Sequence, residues 1–169
     1  SHAPSGALCR SRAGGLFSLS NGEIDAPNNG AILTIATIIK VMSSAAEAEL
    51  GALYLNAREA VYLCQILTKM GHPQPRTPIQ TDNSTAAGVV NSIIQPKRTK
   101  AMDMRFHWLR DREAQGQLRI YWRPGKTNLA DYFTKHHSPA HHVNIRSEFL
   151  TRVKDLAEAR RQRQEQSQT

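Results

Sequence analysis

Three carboxylates stand where chemistry is possible: Glu49, Asp82 and Asp131. Glu49 follows Glu47 by two positions in Ser44-Ala45-Ala46-Glu47-Ala48-Glu49, which places the two acids about 200° apart around a helix. Asp82 directly follows the short strand candidate Pro78-Ile79-Gln80-Thr81 and precedes Asn83-Ser84, the position at a strand's carboxyl end where open α/β sheets face a crevice. Asp131 lies in Asn128-Leu129-Ala130-Asp131-Tyr132-Phe133-Thr134-Lys135, after the strand-like Leu118–Trp122 and the turn Pro124-Gly125. Each has an ordinary structural explanation: an acid welcome near a helix N-terminus for Glu49, a cap or Asx turn for Asp82, and an i,i+4 pair with Lys135 for Asp131. Brought together, the three would repel one another unless cations intervened. Hard divalent ions such as Mg²⁺ are the natural partners of such a set, and a pair of them can drive phosphodiester hydrolysis.

The elements that must position these residues follow from periodicity and punctuation. Residues 15–20 read as a short strand, and 31–40, rich in Ile and Thr, as a buried strand. A capping box from Ser44 to Glu47 opens a helix over 44–70, in which Leu50, Leu53, Tyr54, Ala57, Val61, Cys64 and Leu67 recur at helical spacing and Gly71 and Pro73 close it. A strand over 78–81, a short helix over 84–92 and a helix over 101–114 with Met104, Trp108 and Leu109 as its apolar side come next. A strand over 118–122 and a short helix over 128–135 complete the run. Ser138 and Pro139 suit N-cap and N1 of a last helix reaching about residue 159, ahead of a polar Gln/Arg/Glu tail. The order predicts an α/β fold, a small sheet packed by helices, with the organisation 1–137 as one domain and 138–169 as a C-terminal helix and tail.

Charge points to an anionic partner. The 169 residues carry 22 Lys and Arg against 14 Asp and Glu, a net +8. Residues 95–126 hold nine of the bases and only three acids, a surplus of six. Lys97, Arg98, Lys100, Arg105, Arg123 and Lys126 are the candidate phosphate contacts, with a solvated basic face as the plain reading. Phe106, Trp108, Tyr121 and Trp122 are interleaved with them and read first as core. The cluster His136-His137-Ser138-Pro139-Ala140-His141-His142 has no Cys or acid beside it, so a solvated or linker role is expected rather than zinc. The greasiest stretch, residues 31–42, is 12 long, against the ~20 a membrane helix needs, and no signal-peptide core is present. Two cysteines, Cys9 and Cys64, make no disulfide framework and suit a reducing, intracellular setting rather than secretion. The absence of a starting methionine leads to the expectation of a piece of something longer.

Four segments in order carry a resemblance: Ser43-Ser44-Ala45-Ala46-Glu47-Ala48-Glu49-Leu50, Thr81-Asp82-Asn83, Lys97-Arg98-Thr99-Lys100-Ala101-Met102-Asp103-Met104-Arg105-Phe106-His107, and Asn128-Leu129-Ala130-Asp131-Tyr132-Phe133-Thr134-Lys135. Over roughly residues 10–150 the chain resembles the ribonuclease H domain that lies C-terminal to the reverse transcriptase in copia-type LTR retrotransposon polyproteins. The resemblance implies an RNase H-like mixed sheet flanked by helices and a metal-dependent endonuclease that cuts the RNA strand of RNA–DNA hybrids. It implies Mg²⁺ or Mn²⁺, two ions in the intact site, and the reverse transcriptase portion of the same polyprotein as a partner. By motif position Glu49, Asp82 and Asp131 match three of the family's four metal-binding carboxylates. The fourth belongs to the family's first, central strand and has no counterpart here, since Glu23 and Asp25 fall near a turn. The expectation is therefore a sheet with its first strand truncated, and the rival reading is a degenerate, non-catalytic nucleic-acid-binding remnant of the same fold.

Overall fold

The computed structural model describes residues 11–19, 30–39, 45–90 and 103–150. Two strands, β1 (Arg12–Ser18) and β2 (Ala31–Ile38), form an antiparallel pair with Gly14 opposite Ala36 and Leu16 opposite Thr34. The helix α1 (Ala45–Lys69) follows, then β3 (Thr77–Thr81), α2 (Ser84–Val90), α3 (Asp103–Ala114) and β4 (Leu118–Trp122). β3 and β4 pair in parallel, Thr77 opposite Leu118 and Thr81 opposite Trp122. A parallel pair needs a crossover, and α2 and α3 lie on the connection that supplies it. Two 3₁₀ helices, Gly125–Thr127 and Leu129–Phe133, lead to α4 (Pro139–Phe149).

This is the expected α/β class, compatible with an RNase H-like fold, but the described strands form two pairs rather than one sheet. The gap between the pairs lies above α1 and is lined from both sides, by β1 and by β3.

Local chemistry explains most of the helix boundaries. Leu50, Leu53, Ala57, Ala60 and Val61 repeat at three and four residues, and all are buried. Gly71 ends α1 at a φ of 90°: its N–H reaches Thr68 O at 3.0 Å and that of His72 reaches Leu67 O at 2.9 Å, a Schellman closure. Gly116 closes α3 in the same way, at a φ of 71°, through Glu113 O and Arg112 O. The expected cap of α4 is present, with Ser138 Oγ accepting from His141 N and Pro139 at the first helical position.

The core is built by α1, α2, α3 and β4: Leu50, Leu53, Ala57, Val61, Ala86, Ala87, Phe106, Leu109, Leu118 and Ile120 form one cluster. The rings of Tyr54 and Trp108 meet edge to face at 5.2 Å beside it.

Several expectations need correction. The segment 31–40 is not a buried strand: Ile32 and Ile38 are half exposed, because among the described residues β2 has a strand on one side only. Met104 does not belong to the apolar side of α3; it is 86% exposed, and Phe106 and Leu109 face the core instead. The last helix stops at Phe149, where Leu150 turns extended, rather than near 159; residues beyond 150 lie outside the described set, as do Ser44 of the capping box, Glu23, Asp25 and Cys9. His136, His141 and His142 are exposed, as the solvated reading expects, but the cluster also makes ring contacts. The ring of His137 stacks on Tyr132 at 5.2 Å and on His141 at 4.3 Å, and the Tyr132 hydroxyl meets Nδ1 of His142 at 2.8 Å. That aromatic cluster, with Phe149 against Tyr132 and Phe133, seats α4 on the second 3₁₀ helix. No helix among the described residues is long and apolar enough to cross a membrane.

Candidate active site

Glu49, Asp82 and Asp131 come from three separate elements and line one cavity of about 720 Å³. Glu49 projects from the second turn of α1, and its carboxylate accepts from Asn83 Nδ2. Asn83 is also the cap of α2, since its Oδ1 accepts from Ala86 N at 2.8 Å. One amide thus joins the start of α2 to the acid on α1. This settles the structural alternative for Asp82: the cap is its neighbour, and the Asp82 carboxylate has no hydrogen-bond or ion-pair partner among the described residues.

Asp82 sits at the carboxyl end of β3, held there by the indole of Trp122, which donates to Asp82 O at 3.0 Å. Its side chain lies against Gly125, where an added Cβ would come within 3.1 Å of Oδ2. Glycine at 125 is what lets the loop after β4 pass so close to this carboxylate.

Asp131 is placed by the second 3₁₀ helix, whose cap Asn128 accepts from Ala130 N through its side chain. That helix packs on β1 at Gly14, where a Cβ would come within 2.5 Å of Ala130 O. The Asp131 carboxylate accepts from Thr134 Oγ1 at 3.0 Å and from Lys135 Nζ at 2.5 Å, so the i,i+4 pairing expected from the sequence is present.

Common lining does not make these carboxylates a closed ion cage. Among the described residues no three His, Cys, Asp or Glu side chains stand close enough to hold a metal ion. Glu49 is turned toward the Asn83 amide, and Lys135 already places a positive charge on Asp131.

Of the basic candidates, Arg123 lines the same cavity, with its guanidinium 5.8 Å above the Tyr121 ring. Lys126 is exposed and follows Gly125, the residue that packs against Asp82. Arg105 lies elsewhere, in a second recess with β2, Arg58 and Glu59. Lys97, Arg98 and Lys100 lie outside the described residues. Phe106 belongs to the core and Trp108 packs against it, whereas Trp122 is about half exposed. Arg110 and Arg112 stack over Phe106 and Trp108 at 5.5 and 5.3 Å.

Against known proteins, the chain is 28% identical over 117 residues to the retrovirus-related Pol polyprotein from transposon TNT 1-94 of Nicotiana tabacum. The match covers 69% of this chain and 9% of that relative, so the chain spans less than a tenth of the curated protein it matches. This likeness supports an origin in a retrotransposon polyprotein. No family model matches. No solved structure matches either.

The electrostatics of Asp131 give a pH signature. Partial burial by itself raises its carboxyl, but hydrogen bonds from Lys135 and Thr134, with the charges of Lys135 and His137, more than reverse this, and it titrates below the usual 3.8. A depressed folded value means that this carboxylate's stabilisation is fully present above about pH 4 and is lost as pH falls through the folded value. In Lys135→Met the Asp131 midpoint is expected to move up, past its value in the parent chain, when followed by carboxyl-carbon NMR. An unmoved midpoint would show that Lys135 does not set it.

Asn83, Thr134 and Gly125 were not among the residues picked from the sequence. Asn83 carried a signal, the polar triplet Asp-Asn-Ser ahead of a helix, which leaves open which of the first two is the cap. Gly125 carried none, because its role depends on a contact with a residue 43 positions away.

Proposed function

We propose that the chain is a ribonuclease H-type domain of a copia-type retrotransposon Pol polyprotein, acting on the RNA strand of RNA–DNA hybrids. The observation that carries this reading is the convergence of Glu49, Asp82 and Asp131, from α1, the end of β3 and the 3₁₀ helix after β4, on one cavity that also holds Arg123 and Lys135. The likeness to a Pol polyprotein supports the same origin. An all-carboxylate donor set suits Mg²⁺ or Mn²⁺ by its chemistry, but Glu49, Asp82 and Asp131 would hold such an ion together only after Glu49 turned from Asn83 and Asp131 from Lys135. The chemistry that such ions would supply there is activation of a water and neutralisation of charge at a scissile phosphate. The chain's own residues do the rest: Asn83 orients Glu49 and Thr134 orients Asp131, while Arg123 in the cavity and the exposed Lys126 would meet phosphate oxygens. The reverse transcriptase portion of the polyprotein is the proposed neighbour, in an intracellular particle or the nucleus.

A second reading, a non-catalytic hybrid-binding remnant, is favoured by one observation. Lys135 already occupies Asp131 in the manner of a resident cation. The deciding experiment is cleavage of an end-labelled RNA–DNA hybrid with Mg²⁺ or Mn²⁺: metal-dependent cutting supports the nuclease, and binding without cutting supports the remnant. Absence of both cutting and binding at moderate salt would defeat the two readings together.

Both readings share an electrostatic expectation. If phosphates are met by Arg123 and Lys126, then hybrid affinity falls steeply with salt, and Arg123→Ala or Lys126→Ala each lowers the slope of log affinity against log salt by about 1. Fluorescence anisotropy over a salt series measures this. An unchanged slope in both variants would remove these residues from the interface.

A further inference from the structure

We propose that the chain's own donors latch this carboxylate site: Asn83 holds Glu49, and Lys135 with Thr134 holds Asp131, so that a divalent cation is met first by Asp82 and gains the other two acids only as those donors let go. The inference rests on the site of the nuclease reading and adds the order in which its acids engage. The three acids differ in what they already bond. Oε2 of Glu49 accepts from Nδ2 of Asn83. Both oxygens of Asp131 are taken, Oδ1 by Thr134 Oγ1 at 3.0 Å and Oδ2 by Lys135 Nζ at 2.5 Å. Asp82 is exposed, and its carboxylate has no such bond among the described residues.

Charge balance makes the latch self-sufficient. The acids on the cavity wall are Glu49, Asp82 and Asp131, and the bases are Arg12, Arg76, Arg123 and Lys135. Four positive groups against three negative ones leave a surplus of one from the chain alone. Arg76 is paired with Glu113, yet without it the bases still equal the acids. A bare trio of carboxylates repels itself and needs cations to hold it together. This trio has cations built into its surroundings.

Asn83 is the stronger half of the latch. It is half-buried, and its two ends serve different elements: Oδ1 accepts from Ala86 N at 2.8 Å as the cap of α2, and Nδ2 donates to Glu49 on α1. Turning the amide over loses both bonds, since its oxygen cannot donate to Glu49 and its nitrogen cannot accept from Ala86. The cap therefore fixes which end faces the acid. Glu49 is firmly based in turn, because its neighbour Leu50 is buried in the core. Lys135 is the weaker half. Its ammonium is exposed and reaches back four residues, and pairs of this kind are worth little in water.

Such a latch has a sign. Among the described residues no three acids stand close enough to share an ion, and the bonds to Asn83 and Lys135 favour that separation. Each donor therefore opposes cation binding. An ordinary outer partner of a metal ligand does the reverse: it orients the ligand, and its removal weakens the site by about 10–100-fold. Asn83 and Lys135 act in the opposite direction, as positioning residues that keep Glu49 and Asp131 away from Asp82.

The test titrates Mg²⁺ into the isotope-labelled full chain without nucleic acid, with NMR following the Asp82 and Glu49 carboxyls and the Asn83 side-chain amide. In the parent chain the Asn83 amide protons are expected to lose protection as Mg²⁺ is added. Asn83→Ser keeps a good cap on α2 but is too short to reach Glu49, and it is expected to tighten Mg²⁺ binding by about fivefold. Lys135→Met is expected to tighten it by about twofold. Asp82→Asn abolishes binding. Amide exchange in α2 checks that the cap survives in Asn83→Ser; should that variant fail to fold, Lys135→Met alone decides the sign. Unchanged or weaker binding in the deciding variant overturns the proposal, and so does binding retained in Asp82→Asn. Absence of Mg²⁺ binding in every chain overturns it together with the metal site of the nuclease reading. A wrong sign alone leaves the cleavage assay untouched, whereas tighter binding without hybrid cutting keeps the latch and defeats the nuclease.

Discussion

Asp82→Asn is expected to remove metal-dependent cutting of an RNA–DNA hybrid while leaving hybrid binding and the fold in place. Asp82 is the cleanest of the three acids for this purpose. Its carboxylate has no internal partner among the described residues, so the amide removes charge from the cavity without breaking a protein contact. The same exchange at Glu49 would disturb the Asn83 amide that caps α2, and at Asp131 the Lys135 and Thr134 bonds that hold the second 3₁₀ helix. A lost carboxylate at a charge-stabilising site costs on the order of 10²–10³ in rate. The backbone anchor of Asp82, its carbonyl bonded to Trp122 Nε1, is unaffected by the change. Initial rates on end-labelled hybrid in Mg²⁺ and in Mn²⁺, with anisotropy for binding, read both quantities. Equal rates in parent and variant would mean that Asp82 does not contribute to the reaction, and the carboxylate site would have to be abandoned.

How much of this was legible beforehand depends on whether the cause is local. α1 was legible because Leu50, Leu53, Ala57 and Val61 repeat at helical spacing and Gly71 supplies the left-handed residue that ends it. The Asp131–Lys135 pair was legible because four residues along a helix is one turn. β2 was misread: Ile and Thr favour extended backbone, but nothing in the string says which of its edges and faces another element covers. α3 was misread in its facing, since Met104, Phe106, Trp108 and Leu109 surround the helix and only packing against α1 and β4 selects Phe106 and Leu109. The histidines needed Tyr132, which gathers His137, His141 and His142 from both sides of Pro139. Asn56 was the missed clue: a polar residue inside an otherwise apolar stripe marks a backbone to be met, and here that backbone is β1.

The uneven placement of the core leads to the second large effect. Leu109 is fully buried, and its cluster draws on α1, α2, α3 and β4 and takes nothing from β1 or β2. Leu109→Ala therefore removes a side chain at the meeting point of three helices and a strand, and it is expected to lower the unfolding free energy by about 2–5 kcal/mol. Ile38→Ala, on the half-exposed end of β2, is expected to change it by less than about 0.5 kcal/mol. Urea unfolding of the two variants beside the parent measures the contrast, and comparable losses would contradict a core confined to the β3–β4 side. Domains of this kind have only about 5–15 kcal/mol in total, so the first change takes a large share of it. The β1–β2 pair, outside that cluster, rests on α1 through Asn56 and on the second 3₁₀ helix through the close approach at Gly14. It follows that exchange in β1 and β2 should be faster than in β4 in the parent chain, because opening the first pair costs few buried apolar contacts while opening β4 costs the core itself.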